Sequence, residues 1–127
     1  MKVLSIRQPW ASLIAYGYKE YEFRNWKTKY RGELLIHASK GMEKENMKFF
    51  KDLNIPFETG KIIAKVNLVD CVEVTSNFEN KLIKQKPNIY GHSQGRGGYA
   101  FKVTEPILIK PISINGKLGL WNYDYKE

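Results

Sequence analysis

The sequence carries a single cysteine, Cys71, in 127 residues. One thiol cannot form an internal disulfide, so no disulfide framework is available. Histidine is nearly as scarce: His37 and His92 are the two present, and they are far apart in sequence. No Cys/His cluster has zinc-ligand spacing, so a metal site is not expected. No apolar run approaches the roughly 20 residues that a membrane-spanning helix needs. Internal repeats, low-complexity tracts and linkers are missing as well. Met1 to Pro9 lead directly into patterned sequence, so neither a signal peptide nor a membrane role is expected, and a cytoplasmic setting is. Acidic residues are outnumbered, 13 Asp and Glu against 21 Lys and Arg, for a formal net charge of +8.

The length suits one domain spanning residues 1–127, because two halves would each be too short for a comfortable core. Hydrophobic residues at 43% and charged residues at 27% argue for a folded chain rather than a disordered one. The basic excess favours an anionic partner, nucleic acid ahead of acidic lipid. A lysine-rich proteome would give the same excess without any such partner.

Patterning sketches the elements. Lys2 to Arg7 reads as a strand, and Pro9 suits the first turn of a helix. Trp10, Leu13, Ile14 and Gly17 follow at helical spacing, and Gly17 is a natural residue to end that helix. Over Lys19 to Thr28, alternation places Tyr21 and Phe23 on one face and Glu22, Arg24 and Trp26 on the other. Arg31-Gly32 makes a turn, and Leu34 to Ala38 reads as a buried strand. Glu43 to Leu53 reads as a surface helix turning Met47, Phe50 and possible partner Phe49 inward, and Asn54 and Pro56 end it. Along Lys61 to Val74, Ile62, Ala64, Val66, Leu68, Val72 and Val74 share one face. Asp70 falls on that face too; a bulge is the simpler account, a carboxylate at the mouth of a barrel the other. A short helix over Asn77 to Lys84, a glycine-rich loop over Asn88 to Gly98, strands near Tyr99 to Thr104 and Ile107 to Lys110, and a closing segment Leu118 to Tyr123 complete the reading. Short strands with two or three short flanking helices predict an α+β domain built on a small β-barrel.

The densest chemistry lies in Gly17-Tyr18-Lys19-Glu20-Tyr21-Glu22-Phe23-Arg24. A lysine beside a carboxylate is a usable acid/base pair. The same groups can clamp a phosphate or meet a base edge, with Arg24 supplying a planar fork. A solvated strand face with a surface ion pair is the ordinary alternative. Strict alternation puts Lys19 opposite Glu22 and Arg24, and only the turn after Gly17 could re-aim it. Trp26 shares the Glu22/Arg24 face, where an aromatic could stack a base. Trp10 fits the core better than that wall. Lys29, Tyr30 and Arg31 add a basic-aromatic turn, and His92, Ser93 and Arg96 lie in the glycine-rich loop. His37, at the end of a buried strand, reads as a structural histidine. The loop fits no Walker pattern, no serine has a nucleophile-elbow frame, and no cofactor is expected.

Together, Leu4-Ser5-Ile6-Arg7-Gln8-Pro9-Trp10-Ala11-Ser12-Leu13-Ile14, Gly17-x-Lys19-x-x-Glu22-x-Arg24, Trp26, Thr28, Arg31-Gly32 and Ile36-His37-Ala38-Ser39 resemble the ASCH (activating signal cointegrator homology) family. The resemblance returns at Val69-Asp70-Cys71, at Gly95-Arg96 before Tyr99-Ala100-Phe101, and at Gly116-x-x-Gly119-Leu120-Trp121, while residues 41–60 stay unmatched. It implies a PUA-like barrel with a cleft lined by the Gly-x-Lys-x-x-Glu-x-Arg motif, used on RNA or DNA. Some small bacterial members are N4-acetylcytidine amidohydrolases and others resemble ribonucleases. In the amidohydrolase branch a threonine stands three residues after the motif lysine, where this chain has Glu22. A further carboxylate acts there from a later strand, for which Asp70 and Glu73 are loose candidates. Glu22 thus places the chain nearer the coactivator branch and the stand-alone bacterial and phage members.

The expectation is a nucleic-acid-binding module in which Lys19, Arg24, Arg31 and Arg96 meet phosphates or base edges. Trp26 stacks a base, and Glu22 orients the cations or accepts from an exocyclic amine. The alternative is a small hydrolase on a modified nucleobase or nucleoside, or a ribonuclease, with Lys19 and Glu22 catalytic. A third reading is an interaction domain whose basic surface is incidental.

Overall fold

A computed structural model describes residues 1–92 and 97–127. Its strands are β1 (Lys2–Gln8), β2 (Tyr21–Arg24), β3 (Gly32–Met42), β4 (Lys61–Glu73), β5 (Tyr99–Ser113) and β6 (Leu120–Asn122). Its helices are α1 (Trp10–Ala15), α2 (Lys44–Met47), α3 (Ser76–Gln85) and α4 (Pro87–Tyr90), with a 3₁₀ segment Lys48–Leu53 continuing α2. The strands form one six-stranded sheet in the order β2-β5-β4-β3-β1-β6. Among the described residues the β1–β3 pair is parallel and the other ladders are antiparallel. This is the α+β architecture expected, in a sheet that curls without closing. The curl is measurable through one contact: the guanidinium of Arg24 on β2 donates to the backbone carbonyl of Ser5 on β1, four places away in the sheet. No helix among the described residues is long and apolar enough to cross a membrane.

The core lies inside the curl. Every residue of α1 is buried, and Trp10, Leu13 and Ile14 pack with Leu34, Ile36, Ala64, Val66, Leu68, Phe101 and Val103. A second, smaller cluster on the outer face holds Val3, Leu35, Ile62 and Trp121. Ile62 therefore does not share the face of Ala64, Val66 and Leu68 as alternation predicts. The register of β4 slips between Ile62 and Ala64, and the extra residue turns Ile62 outward. The register slips again between Lys65 and Asn67 and between Leu68 and Asp70, and the last slip settles the other anomaly of that strand, because it leaves Asp70 exposed rather than aimed into the core.

Other elements differ from the periodicity in instructive ways. The strand expected over Lys19 to Thr28 is only Tyr21–Arg24. The helix expected over Glu43 to Leu53 is a short α-turn followed by 3₁₀ geometry, with Phe50 buried and Phe49 exposed. The two strands expected from Tyr99 to Lys110 are one strand, β5, which passes through Glu105 at φ 54° before Pro106. Local signals do hold at helix ends: Thr75 Oγ1 accepts from Phe78 N at 3.1 Å and caps α3.

Buried polar groups tie the loops to this frame. Gln8 Nε2 donates to Ser12 Oγ at 2.7 Å and to Glu58 O at 2.8 Å, and Ser12 Oγ donates to Pro56 O at 2.8 Å. These bonds pin the connection before β4 to α1. His37, 1% exposed, bonds through Nε2 to Ile114 O at 2.7 Å. Burial pulls its pKa below the usual 6.5, against the opposing pull of the Ile114 carbonyl.

Candidate functional site

The site begins with the way α1 stops. Gly17, at φ +85°, donates its N–H to Ile14 O at 3.1 Å, and Tyr18 N donates to Leu13 O at 2.8 Å. That pair of bonds is a Schellman closure, which glycine makes possible. Lys19 N also reaches Leu13 O, at 3.1 Å. The chain doubles back over the end of α1 before β2 starts at Tyr21, so strand alternation does not apply to Lys19. Its side chain turns in beside Glu22.

Lys19 Nζ lies 2.9 Å from Glu22 Oε1 and also donates to the Tyr21 carbonyl. The rings of Phe23 and Trp10 stand 5.2 Å and 5.7 Å from the ammonium. The Lys19 side chain is 2% exposed and that of Glu22 is 11% exposed. Burying an ammonium is costly unless it is paired and hydrogen-bonded, and here it is both, with aromatic faces around it. The other Glu22 oxygen, Oε2, faces Arg24 Nε at 3.5 Å. Arg24 is a quarter exposed, and its far end holds Ser5 O. The result is a row: buried cation, carboxylate, and a cation that meets solvent. Tyr90 supports the row from below, its hydroxyl accepting from Glu20 N at 3.0 Å and Tyr21 N at 3.2 Å. Burial raises the Tyr90 pKa, and the two N–H donors oppose that rise.

The remaining candidates are spread around this row. Trp26 is half-buried, its ring packed edge-on against Phe101 at 5.1 Å. Arg31 is exposed, donates to Thr28 O at 3.0 Å and Tyr30 O at 2.8 Å, and faces Asp70 at 3.9 Å. Arg96 lies outside the described residues. The structure thus brings Lys19, Glu22 and Arg24 together and sets Arg31 apart with Asp70. Three contributors were not picked from sequence: Tyr90, the Ser5 carbonyl and the face of Trp10. Backbone carbonyls leave no residue-type signal, and Tyr90 is 69 residues from the Tyr21 amide it holds. Among the described residues, no three His, Cys, Asp or Glu side chains gather closely enough to hold a metal ion.

Residues 4–115 match the ASCH domain. The chain belongs to the ASCH domain family. Activating signal cointegrator 1 of Homo sapiens is 30% identical to it, over 97% of this chain and 22% of that protein. The Mus musculus protein of the same name is 29% identical over the same shares. This ASCH chain therefore spans about a fifth of the length of those curated relatives. The crystal structure of ASCH from Zymomonas mobilis superposes with a TM-score of 0.56 at 18% identity, covering 88% of this chain and 72% of that one. A serine-to-alanine mutant of the same protein gives 0.58 at 18% identity, covering 89% and 73%. At that identity the likeness is one of fold. It agrees with the curled sheet and short helices of this ASCH chain.

Proposed function

We propose that this single ASCH domain, residues 1–127, binds nucleic acid through the surface around Arg24, in a cytoplasmic setting. The observation that carries the reading is the Lys19–Glu22–Arg24 row, which fixes a solvent-facing guanidinium at the seam of a basic chain with net charge +8. Arg24 offers a fork to a phosphate or a base edge. The Glu22 oxygen facing it can accept from an exocyclic amine. Trp26 supplies a stacking edge, and Arg31 adds a phosphate contact, as does Arg96. Lys19 is too deep to touch a polyanion directly and acts through Glu22, whose position it sets.

Fluorescence-anisotropy titration of short single- and double-stranded RNA and DNA at two salt concentrations tests this. Binding should weaken steeply with salt, and Arg24→Ala should lower the log–log salt slope by about 0.7 to 0.9, one phosphate contact. If Arg24→Ala, Trp26→Ala and Lys19→Ala all leave affinity unchanged, the reading is wrong.

One observation favours a second reading. An ammonium sequestered beside a carboxylate and two rings is the setting in which a lysine can serve as an acid/base. On that reading the domain is a small hydrolase acting on a modified nucleobase or nucleoside, such as N4-acetylcytidine, or a ribonuclease. Turnover lost in Lys19→Ala while oligonucleotide affinity survives would select it.

A further inference from the structure

A groove of about 780 Å³ opens between the 3₁₀ segment, α4 and the turn that closes α1. That volume falls within the roughly 300–1,000 Å³ usual for ligand sites. Its floor is aromatic. Phe49 and His92 stack face to face, with ring centroids 3.8 Å apart and planes 5° apart. Phe50, buried, meets His92 edge-on at 6.0 Å and fixes the stack from inside. Phe49 itself is 49% exposed. The Lys48 ammonium stands 5.5 Å from the Phe49 ring centroid.

The polar lining is specific in kind. Asp52, Gln85 and Asn88 border the groove, offering one carboxylate and two amides. Amides can pair with a base edge in both directions, and a carboxylate accepts from an exocyclic amine while repelling a phosphate. Lys86 borders it too, with Nζ 3.2 Å from Tyr18 O. Gly17 and Tyr18 line the groove and lead directly into Lys19, so it adjoins the Lys19–Glu22–Arg24 row along the chain.

We propose that this groove receives one unstacked, amine-bearing nucleobase of the single strand that the Arg24 surface binds. The proposal rests on the nucleic-acid reading above and adds a second subsite to it. The base extends the His92–Phe49 stack. It takes the place of the Lys48 ammonium, which then meets the phosphate of the same nucleotide. Lys48 is free to move at little cost, because its pair with Glu45 is exposed on both sides, at 56% and 91%. Asp52 accepts from the amine, and Gln85 or Asn88 completes the edge.

The test uses short single-stranded RNA and DNA carrying one 2-aminopurine, whose fluorescence is quenched by stacking. Wild type, Phe49→Tyr, Phe49→Leu and Arg24→Ala are titrated with each, folding being checked by circular dichroism. Phe49 is exposed, so both of its variants should fold. The expected result is quenching retained in Phe49→Tyr and lost in Phe49→Leu, with affinity reduced roughly tenfold in the latter. If Phe49→Leu matches wild type while Arg24→Ala weakens, the groove proposal is overturned and the Arg24 reading stands. If Phe49→Leu weakens and Arg24→Ala does not, the groove holds and the Arg24 reading falls. Wild type that binds neither oligonucleotide overturns both.

Discussion

The pairing of Lys19 with Glu22 is open to a thermodynamic test that needs no ligand. Lys19→Met removes a side chain that is 2% exposed and leaves the carboxylate of Glu22, 11% exposed, without its nearest cation. Breaking a buried ion pair from one side costs about 3–5 kcal/mol, because the other charge stays buried. Arg24 remains 3.5 Å from Glu22, so the low end applies, about 3 kcal/mol. At about 4 °C per kcal/mol for a chain of this size, Tm should fall by roughly 12 °C. Glu22→Gln should cost a similar amount, since it removes the carboxylate 2.9 Å from the buried ammonium. The double variant Lys19→Met/Glu22→Gln buries neither charge and should be more stable than the sum of the singles implies, by about 2 kcal/mol. Urea unfolding followed by far-ultraviolet circular dichroism gives all four corners of the cycle. Strict additivity, or a Lys19→Met variant within about 0.5 kcal/mol of wild type, would refute the claim that this pair is an energetic unit.

Two further perturbations follow from the same geometry. His37 is buried with its pKa below 6.5, so the unfolded chain takes up its proton first as pH falls. The stability it contributes is complete above that value and is lost on acidification toward the folded pKa. Unfolding midpoints measured from pH 8 to pH 5 should decline in wild type and be flatter in His37→Gln; equal slopes would contradict this. Gly98 sits at φ +77°, and a Cβ there would lie 2.4 Å from the Arg24 backbone oxygen. Gly98→Ala should therefore cost about 2 kcal/mol or more by thermal unfolding and shift Arg24 enough to weaken oligonucleotide binding. An unchanged Tm would show that the two backbones do not approach this closely.

Some of this was legible in the chain and some was not, for definable reasons. The end of α1 was readable because Gly17 acts locally, through its own positive φ. The direction of Lys19 was not, because alternation assumes a strand that begins at Lys19 rather than at Tyr21. Val66 and Leu68 announced their face correctly, whereas Ile62 did not, since a bulge is a property of the ladder and has no residue-type signature here. Glu105-Pro106 reads as a break, yet β5 runs through it, because its pairing with β4 resumes at Ile107 and Leu108. The family motif pointed to Lys19, Glu22 and Arg24 as a group. It could not say that one of them is buried, one shared and one only a quarter exposed, because that ordering depends on Trp10, Tyr90 and Ser5 from other elements. The aromatic groove lies partly in the stretch the family resemblance did not reach, and it joins residues 49 and 92, which no local pattern connects.

The Arg24–Ser5 bond has a consequence for how this surface can change. Among the described residues no ladder crosses the seam of the sheet, and a side chain serves as the clasp there. If that clasp is also what a strand of nucleic acid grips, occupancy and integrity of the fold become linked quantities. Bound ligand would raise the melting temperature by mass action, and heating would release ligand before the rest of the molecule gives way. A substitution that retunes recognition at Arg24 would alter the shape of the whole curl as well. Specificity at this position would then drift slowly in evolution, with new preferences arising at neighbours that leave the clasp shut.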